Sequence, residues 1–188
     1  MRIRRISHTI FALVLIGLGM IGLVKGTFGP GLEPVPASLP GRQVLAYLCD
    51  LVYLVCGVGL LLPRTAILAA RVLFAFLLLW LILLRLPWLL VDPQVNTWWP
   101  AASTSVILAA AWVLYASLAD DQDRQYLGFA VGENGVRVAT ILFGLGLIPL
   151  GLAHFLYLEA TAPLVPAWLI WPVFWSYFTG ASFIAAGM

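Results

Sequence analysis

The sequence predicts an all-α protein, a polytopic bundle of six transmembrane helices, and three observations support this prediction. Of its 188 residues, 63% are hydrophobic and only 10% are charged, whereas a soluble domain carries about 25% charged residues. The mean hydropathy is +1.03. Apolar runs of about 20 residues, long enough to cross a bilayer, recur along the chain. The net charge of +2 is too small to suggest nucleic acid as a partner, so the expected surrounding is the lipid bilayer.

The segments between the apolar runs set the limits of the predicted helices. Residues 26–41 contain four prolines, which remove backbone donors and interrupt a helix. Residues 85–100 are too short and too interrupted to span, and their tryptophans are typical of membrane interfaces. The basic N-terminal segment is expected to start a membrane helix rather than a cleaved signal. The predicted helices are approximately Ile6–Lys25, Arg42–Leu62, Thr65–Leu84, Ala101–Leu118, Val136–Tyr157 and Trp168–Met188.

The placement of lysine and arginine predicts the orientation, because these residues concentrate in cytoplasmic segments. With the N-terminus in the cytoplasm, seven basic residues fall on the inner side and three on the outer side. Both Pro-rich loops and most tryptophans then face outward. The inner residues are Arg2, Arg4, Arg5, Arg64, Arg71, Arg124 and Arg137, and the outer ones are Lys25, Arg42 and Arg85.

Two parts of the chain resemble each other in sequence. The run GLGMI at 17–21 corresponds to GLGLI at 144–148, and each is followed by a Pro-containing loop and a second apolar helix. We therefore expect a four-helix unit at 1–118, a cytoplasmic connector at 119–135, and the first two helices of a second, incomplete unit at 136–188. Chance similarity between apolar helices is the alternative. The other matched pairs are Phe28 with Phe155, Glu33 with Glu159, Pro40 with Pro166, and Tyr47 with Tyr177.

The second of these segments carries an ordered set of motif residues, namely His154, Pro166, Trp168, Tyr177, Thr179 and Gly180. In this combination the chain resembles the DoxX-like family of small bacterial membrane proteins. The resemblance implies two tandem four-helix units, the second incomplete, in a bacterial inner (plasma) membrane. An acidic residue expected in the second helix of the unit is Phe183 here, and Tyr53 stands at the matching place in the first unit. This departure argues against transferring any proton chemistry from the family.

Polar residues near the outer ends of the predicted helices are the candidate binding site. Asp50 lies inside the second helix, where an ionisable group is costly and usually paired, and Lys25 is the expected partner. The pair is either a structural ion pair or part of a ligand or proton site, and Asp50 can alternatively face water. His154 and Tyr177 lie at a depth similar to that of Lys25 and Asp50, and Tyr53 is assigned to the same polar cluster. No metal site is predicted, because His154 and Glu159 are two scattered ligands.

Aromatic and sulfur-containing residues supply two further expectations. Trp168, Trp171 and Trp175 are spaced as one helical face, which can stack a quinone ring or a lipid, or can form an interfacial belt. Cys49 and Cys56 lie two helical turns apart, roughly 10 Å. That separation is too long for a disulfide.

These features do not define a reaction, and the protein is more easily interpreted as a non-enzyme. The leading hypothesis is a non-catalytic or accessory subunit of a membrane-associated redox system, with a membrane or periplasmic redox protein as partner. The alternative is a binding or transport protein for a lipid, a quinone or another small hydrophobe, with a pocket in the outer leaflet. No cofactor is predicted, because the chain lacks a cofactor motif or thiol pair. A quinone is nevertheless compatible with either hypothesis.

Overall fold

A computed structural model describes residues 2–37, 39–92 and 94–188, except for the side chains of residues 2–5, 95 and 96. All regular secondary structure in these ranges is helical. The elements are α1 (Arg2–Lys25), α2 (Arg42–Leu61), α3 (Ala66–Trp80), a π-helical stretch (Leu81–Arg85), α4 (Leu86–Val91), α5 (Val95–Leu118), α6 (Asp121–Leu127), α7 (Gly132–Leu156), α8 (Leu158–Thr161), a 3-10 turn (Ala162–Leu164) and α9 (Pro172–Gly187).

Within the described ranges, five helical stretches are long and apolar enough to cross a membrane: Ile6–Lys25, Arg42–Leu61, Ala66–Val91, Thr97–Leu118 and Gly132–Leu156. Only 22–44% of each apolar stretch is buried inside the molecule. An apolar surface of this extent is unfavourable in water and favourable against lipid. The fold is therefore consistent with a multi-pass membrane protein.

The predicted sixth helix is shorter than expected, and its predicted start at Trp168 was wrong. Residues 165–171 form turns and bends, and α9 begins only at Pro172. Proline is favoured in the first turn of a helix, where its missing N–H is not needed. With 16 residues, α9 is roughly 24 Å long at 1.5 Å per residue. A typical hydrocarbon core is about 30 Å thick, so α9 alone is too short to cross it. The other five predicted spans are long enough.

The predicted interruption of the third helix near Arg85 was also wrong. The helix continues from α3 through the π-helical stretch into α4 and ends at Val91. Pro87 lies in the first turn of α4, directly after the π-helical stretch. Proline lacks a backbone N–H. The wider π-helical turn alters the backbone hydrogen-bond pattern at this point. The next helix starts at Val95 rather than Ala101 and contains Pro100. The predicted connector 119–135 contains a short helix, α6.

The helices pack mainly as neighbours in sequence. The pairs α1–α2, α5–α7 and α7–α9 are in extensive contact, and α3 packs against both α2 and α5. Residues 26–37 fold inward between α2, α3 and α5, so that Phe28, Leu32 and Val35 are buried in the core. We call the end of the bundle that contains this inserted loop the loop end. Because α7 packs along α5, the predicted second unit lies directly against the first, and the division at 119–135 stays a prediction.

Candidate functional site

One polar residue at the loop end is Asp50, which is fully buried in α2. Its Oδ1 atom accepts a hydrogen bond of 2.8 Å from the backbone N–H of Gly29 in the inserted loop. Gly22 of α1 leaves the space that the carboxylate fills, since a Cβ atom at this position would overlap the carboxylate. A Cβ atom at Gly29 would lie 2.8 Å from Oδ1. Two glycines thus create the room for a buried acid between α1, α2 and the loop.

A second buried ionic residue, Arg85, ends the π-helical stretch and holds the same loop from the other side. It is only 5% exposed. Its Nη1 atom donates to the carbonyl of Pro34 at 2.6 Å and its Nη2 atom to the carbonyl of Leu32 at 2.5 Å. Its Nε atom donates to the hydroxyl of Thr104 at 3.4 Å. π-Helical turns often occur at functional sites, and this one brings the guanidinium under the loop.

The third group that holds the loop is Thr104 of α5, whose side chain is fully buried. Its hydroxyl contacts the carbonyl oxygens of Gly31 at 2.7 Å and Pro100 at 3.0 Å. Buried backbone groups need partners, and the inserted loop has few of its own. Asp50, Arg85 and Thr104 supply them, so the main role of this cluster in the fold is to hold the loop inside the bundle.

The cluster nevertheless contains polar atoms that the fold does not use. The Oδ2 atom of Asp50 and the hydroxyl of Tyr53 are buried without a hydrogen-bond partner among the described residues. Tyr53 follows Asp50 by one helical turn and packs edge-on against Phe76, with ring centroids 6.1 Å apart. Buried polar groups without partners are uncommon in folded proteins and call for an explanation.

Two cavities border the inserted loop. One, of about 290 Å³, lies beside Arg85 and is lined by Pro34, Val35, Pro36, Leu84, Arg85, Trp88, Asp92, Thr97 and Pro100. The other, of about 400 Å³, is lined by Gly31, Glu33, Pro34, Trp99, Pro100 and Ser103. Pro34 and Pro100 line both cavities, so the two are adjacent, and we refer to this region beside the loop as the cleft. A larger cavity of about 740 Å³ lies between α1, α5 and α7 near His8, towards the opposite end.

The structure brings together only part of the predicted polar site. Asp50 and Tyr53 share one buried face of α2, as their spacing suggests. The predicted ion pair between Asp50 and Lys25 is absent: Lys25 is exposed, and no ion pair within 4.0 Å joins it to a described acidic residue. The physical reason is that the loop backbone, rather than Lys25, lies beside the carboxylate of Asp50. The N–H of Gly29 satisfies one carboxylate oxygen without the cost of burying a lysine.

His154 and Tyr177 belong to a different cluster, formed by α7, α8 and α9. The Nδ1 atom of His154 lies 3.2 Å from the hydroxyl of Ser176, which lies 2.7 Å from the hydroxyl of Thr161. Ser176 and Thr161 are each 1% exposed. Tyr177 stacks on Phe155, with ring centroids 5.4 Å apart. The hydroxyl chain was missed in the sequence, because neither Ser176 nor Thr161 stands in a recognisable motif.

The predicted aromatic face of Trp168, Trp171 and Trp175 does not form. Only Trp175 lies in α9, where it packs edge-on against Phe174 and Phe178. Trp168 is in a turn, and Trp171 precedes the helix with a positive φ of 60°. The two are 81% and 71% exposed. Because the helix starts four residues later than predicted, the regular spacing of the three tryptophans does not place them on one face.

A polar network at the opposite end was also missed as a unit. Arg71 of α3 donates to Asp123 at 2.8 Å and to Asp120 at 3.2 Å, and the hydroxyl of Tyr115 donates to Asp123 at 2.9 Å. Asp120 and Asp123 form a capping box at the start of α6. Burial disfavours the charged form of Asp123, but the hydrogen bonds from Arg71, Tyr115 and the Asp120 backbone outweigh it and lower its pKa. This network fixes α6 against α3 and α5.

Cys49 and Cys56 are both buried free thiols, so the prediction that they do not bridge is confirmed.

Comparison with known proteins identifies no relative: no family model, no curated protein and no solved structure matches this chain.

Proposed function

We propose that the protein is a non-catalytic membrane protein that binds a small hydrophobic or amphipathic molecule in the cleft at the loop end. The observation that carries this proposal is the cavity of about 290 Å³ beside Arg85. Its walls combine apolar and aromatic side chains with a few polar groups, which is the usual composition of a small-molecule site. A quinone, a fatty acid or a lipid is of this chemical class.

The membrane setting of this proposal includes the orientation predicted from the basic residues. In a bacterial inner membrane with a cytoplasmic N-terminus, the loop end faces the periplasm and the Arg71 network faces the cytoplasm. We also propose that α9 is a sixth span, extended to the interface by the turns before Pro172. Its exposed side chains include Val173, Phe174 and Phe178, which is compatible with contact to lipid.

The contacts of two helix pairs support the proposed repeat. In the α1–α2 pair, a Cβ atom at Gly19 would lie 2.7 Å from the carbonyl oxygen of Asp50; in the α7–α9 pair, one at Gly151 would lie 2.7 Å from the carbonyl oxygen of Gly180. Asp50 thus corresponds to Gly180. The same register recurs in the contacts of Leu54 with Gly19, Ile184 with Gly151, Gly57 with Ile16 and Ala12, and Gly187 with Ile148 and Gly144.

This register differs from the sequence alignment, because it places Gly144 opposite Ala12 rather than Gly17. In this register the glycine and the polar residue also change places between the two pairs. In the first pair Gly22 of α1 accommodates the side chain of Asp50, whereas in the second Gly180 of α9 accommodates His154, whose Cβ would be 2.7 Å from an added Cβ. Each pair therefore packs one polar side chain against a glycine at the same level, Asp50 from the second helix of one pair and His154 from the first helix of the other. This correspondence supports a tandem repeat of the helix pair, and the DoxX-like type of that repeat rests on the sequence motifs alone.

An accessory role beside a membrane redox enzyme is the second candidate function. The observation that favours it is the exposed group of Trp168, Ile170 and Trp171 at the loop end, which are 81%, 67% and 71% exposed. Exposed aromatic residues of this kind are common both at membrane interfaces and in protein contacts. This candidate predicts that a redox protein co-purifies with the chain and that substitution of Trp168 and Trp171 by alanine removes it.

The test of the binding function is a comparison of two matched variants, Leu84→Trp and Leu83→Trp. Leu84 lines the cavity, whereas its neighbour Leu83 is 64% exposed and lies outside it. Native mass spectrometry of the protein purified in mild detergent should detect a bound small molecule in the wild type and in Leu83→Trp. The molecule should be absent from Leu84→Trp. A bound molecule that persists in the folded Leu84→Trp variant would contradict the proposed site.

A further inference from the structure

We propose that the ligand of the cleft is an anionic amphipath, with its head group at Arg85 and its hydrocarbon tail directed past Leu84 into the bilayer. The inference rests on the proposed binding function and specifies the charge of the ligand and the residue that selects it.

The first argument is the charge of Arg85, which the described protein leaves without a close counter-ion. Its three hydrogen-bond partners are neutral, two carbonyls and one hydroxyl. No carboxylate of the described residues lies within 4.0 Å of it, and Glu33 is 3.5 Å from Arg42 instead. A buried charge is costly unless it is paired. An anionic head group in the neighbouring cavity supplies that pairing through charge-assisted hydrogen bonds.

The second argument is the shape and polarity of the cavity. Arg85, Asp92 and Thr97 are its polar lining residues, and Val35, Leu84 and Trp88 form apolar walls. Trp88 is 56% exposed, so this wall of the cavity reaches the protein surface. A volume of about 290 Å³ is at the lower end of the usual range for small-molecule sites. It suits a compact head and the first part of a chain, with the rest of the tail in the bilayer.

The third argument is depth along the helix. Arg85 precedes the end of the helix at Val91 by six residues, or about 9 Å at 1.5 Å per residue. Trp88 lies one turn closer to the end, and tryptophan is enriched at the level of lipid head groups. An amphipath anchored at Arg85 therefore keeps its head just below the interface and its tail in the hydrocarbon region.

Asp92 provides an internal control on the charge of the ligand. It lines the same cavity and is exposed, so its carboxylate repels a bound anion weakly. This repulsion favours a ligand head group with a single negative charge. Asp92→Asn should therefore strengthen the binding of an anion. Its effect on a neutral ligand of the same length should be small. Unlike Arg85, Asp92 makes no side-chain contact with the inserted loop among the described hydrogen bonds, so this change should leave the fold intact.

The experiment measures the binding of dodecanoate, dodecyl phosphate and the neutral alcohol dodecanol to the purified full-length protein in detergent, by native mass spectrometry and thermal shift. We expect the carboxylate to bind the wild type at least tenfold more tightly than dodecanol. Binding of the carboxylate should tighten about threefold in Asp92→Asn. In Arg85→Gln the preference for the carboxylate over the alcohol should disappear. The ratio of phosphate to carboxylate affinity separates a lipid-phosphate head from a fatty-acid head.

Each other outcome has a defined meaning. Equal binding of dodecanoate and dodecanol overturns the anionic inference and leaves the proposed binding function standing. Weaker or unchanged binding of dodecanoate in Asp92→Asn also overturns it, even if Arg85→Gln fails to fold. Binding of none of the three molecules to the wild type contradicts the anionic inference and, for this ligand class, the cleft proposed under the binding function.

Discussion

At the scale of single residues, the buried acid Asp50 shows how a membrane protein can use an ionisable side chain without an ion pair. Its Oδ1 atom satisfies the Gly29 N–H of the inserted loop, and an unsatisfied N–H in this position would be expensive. The sequence identified Asp50 as important because an acid inside an apolar helix is rare. It did not identify the partner, because a loop backbone group has no signature in the sequence.

The first prediction compares two substitutions of Asp50. Asp50→Asn keeps an Oδ1 acceptor for the Gly29 N–H and should change the free energy of unfolding little. Asp50→Ala removes the acceptor and should destabilise the protein by about 1–3 kcal/mol, the cost of an unsatisfied buried group. Thermal unfolding in detergent measures both. If Asp50→Asn is as unstable as Asp50→Ala, the charge of Asp50 is essential and the backbone contact is not its main role.

The second prediction concerns pH and Asp123. Because hydrogen bonds lower the pKa of Asp123 below its ordinary value of 3.8 in the folded protein, its contribution to stability is fully present above that value. The contribution is lost as the pH falls through the lower folded pKa. Asp123→Asn should destabilise the protein near neutral pH by about 1–3 kcal/mol. Unfolding measured from pH 7 to pH 3 should show the difference between wild type and variant shrinking only below about pH 4.

Asp121 provides the control for this measurement. It is exposed in the same short helix and makes no side-chain contact with Arg71 among the described hydrogen bonds. Asp121→Asn should therefore have a small effect at every pH. A difference between wild type and Asp123→Asn that stays constant down to pH 3 would contradict the assigned role of the carboxylate.

At the scale of elements, glycine determines which helices approach closely. α1 and α2 are in contact along their length, and Gly22 allows the carboxylate of Asp50 to fit between them. Small residues permit such close helix contacts in membranes. The sequence contained the Gly22–Gly26 spacing of the GxxxG type. The structure shows that Gly26 instead ends the helix, with a positive φ of 65° that favours glycine.

The third prediction is that Gly22→Ala and Gly17→Ala differ in sign. A Cβ atom at Gly22 overlaps the Asp50 side chain, whereas one at Gly17 has no neighbour within 4 Å. Gly22→Ala should destabilise the protein by about 1–3 kcal/mol through overpacking. Gly17→Ala should stabilise it by up to about 1 kcal/mol through helix propensity. Thermal unfolding in the same detergent compares them, and equal effects of the two changes would contradict the packing of α1 on α2.

At the scale of the whole molecule, the number of spans decides on which side the two ends lie. Five helical stretches in the described ranges have the length and apolarity of a span, and α9 has 16 residues. If α9 crosses the bilayer together with the turns that precede it, the chain has six spans and both ends share a side. If it lies at the interface, the C-terminus is on the opposite side from the N-terminus.

The fourth prediction is that both ends lie in the cytoplasm. A topology reporter fused after Met188 should therefore give the same signal as one fused after Leu118, since both positions follow an even number of spans. A reporter inserted at Pro36, in the inserted loop, should give the periplasmic signal and serves as the control for the opposite side. A periplasmic signal after Met188, with a cytoplasmic signal after Leu118, would show that α9 does not span.

The helical class and the Pro-rich loop could be predicted from the sequence, because hydropathy and proline content act locally. Of the six predicted spans, five are long apolar helical stretches in the described ranges. The sequence also singled out Asp50 and Tyr53 as members of a polar cluster. The folded structure was needed to show that Arg85 lies under the inserted loop, that Gly29 rather than Lys25 contacts Asp50, and that Arg71 joins α3 to α6. These contacts connect residues far apart in the chain. They depend on how the loop folds into the bundle to satisfy its backbone groups. The hydrophobic periodicity of the sequence does not predict that arrangement.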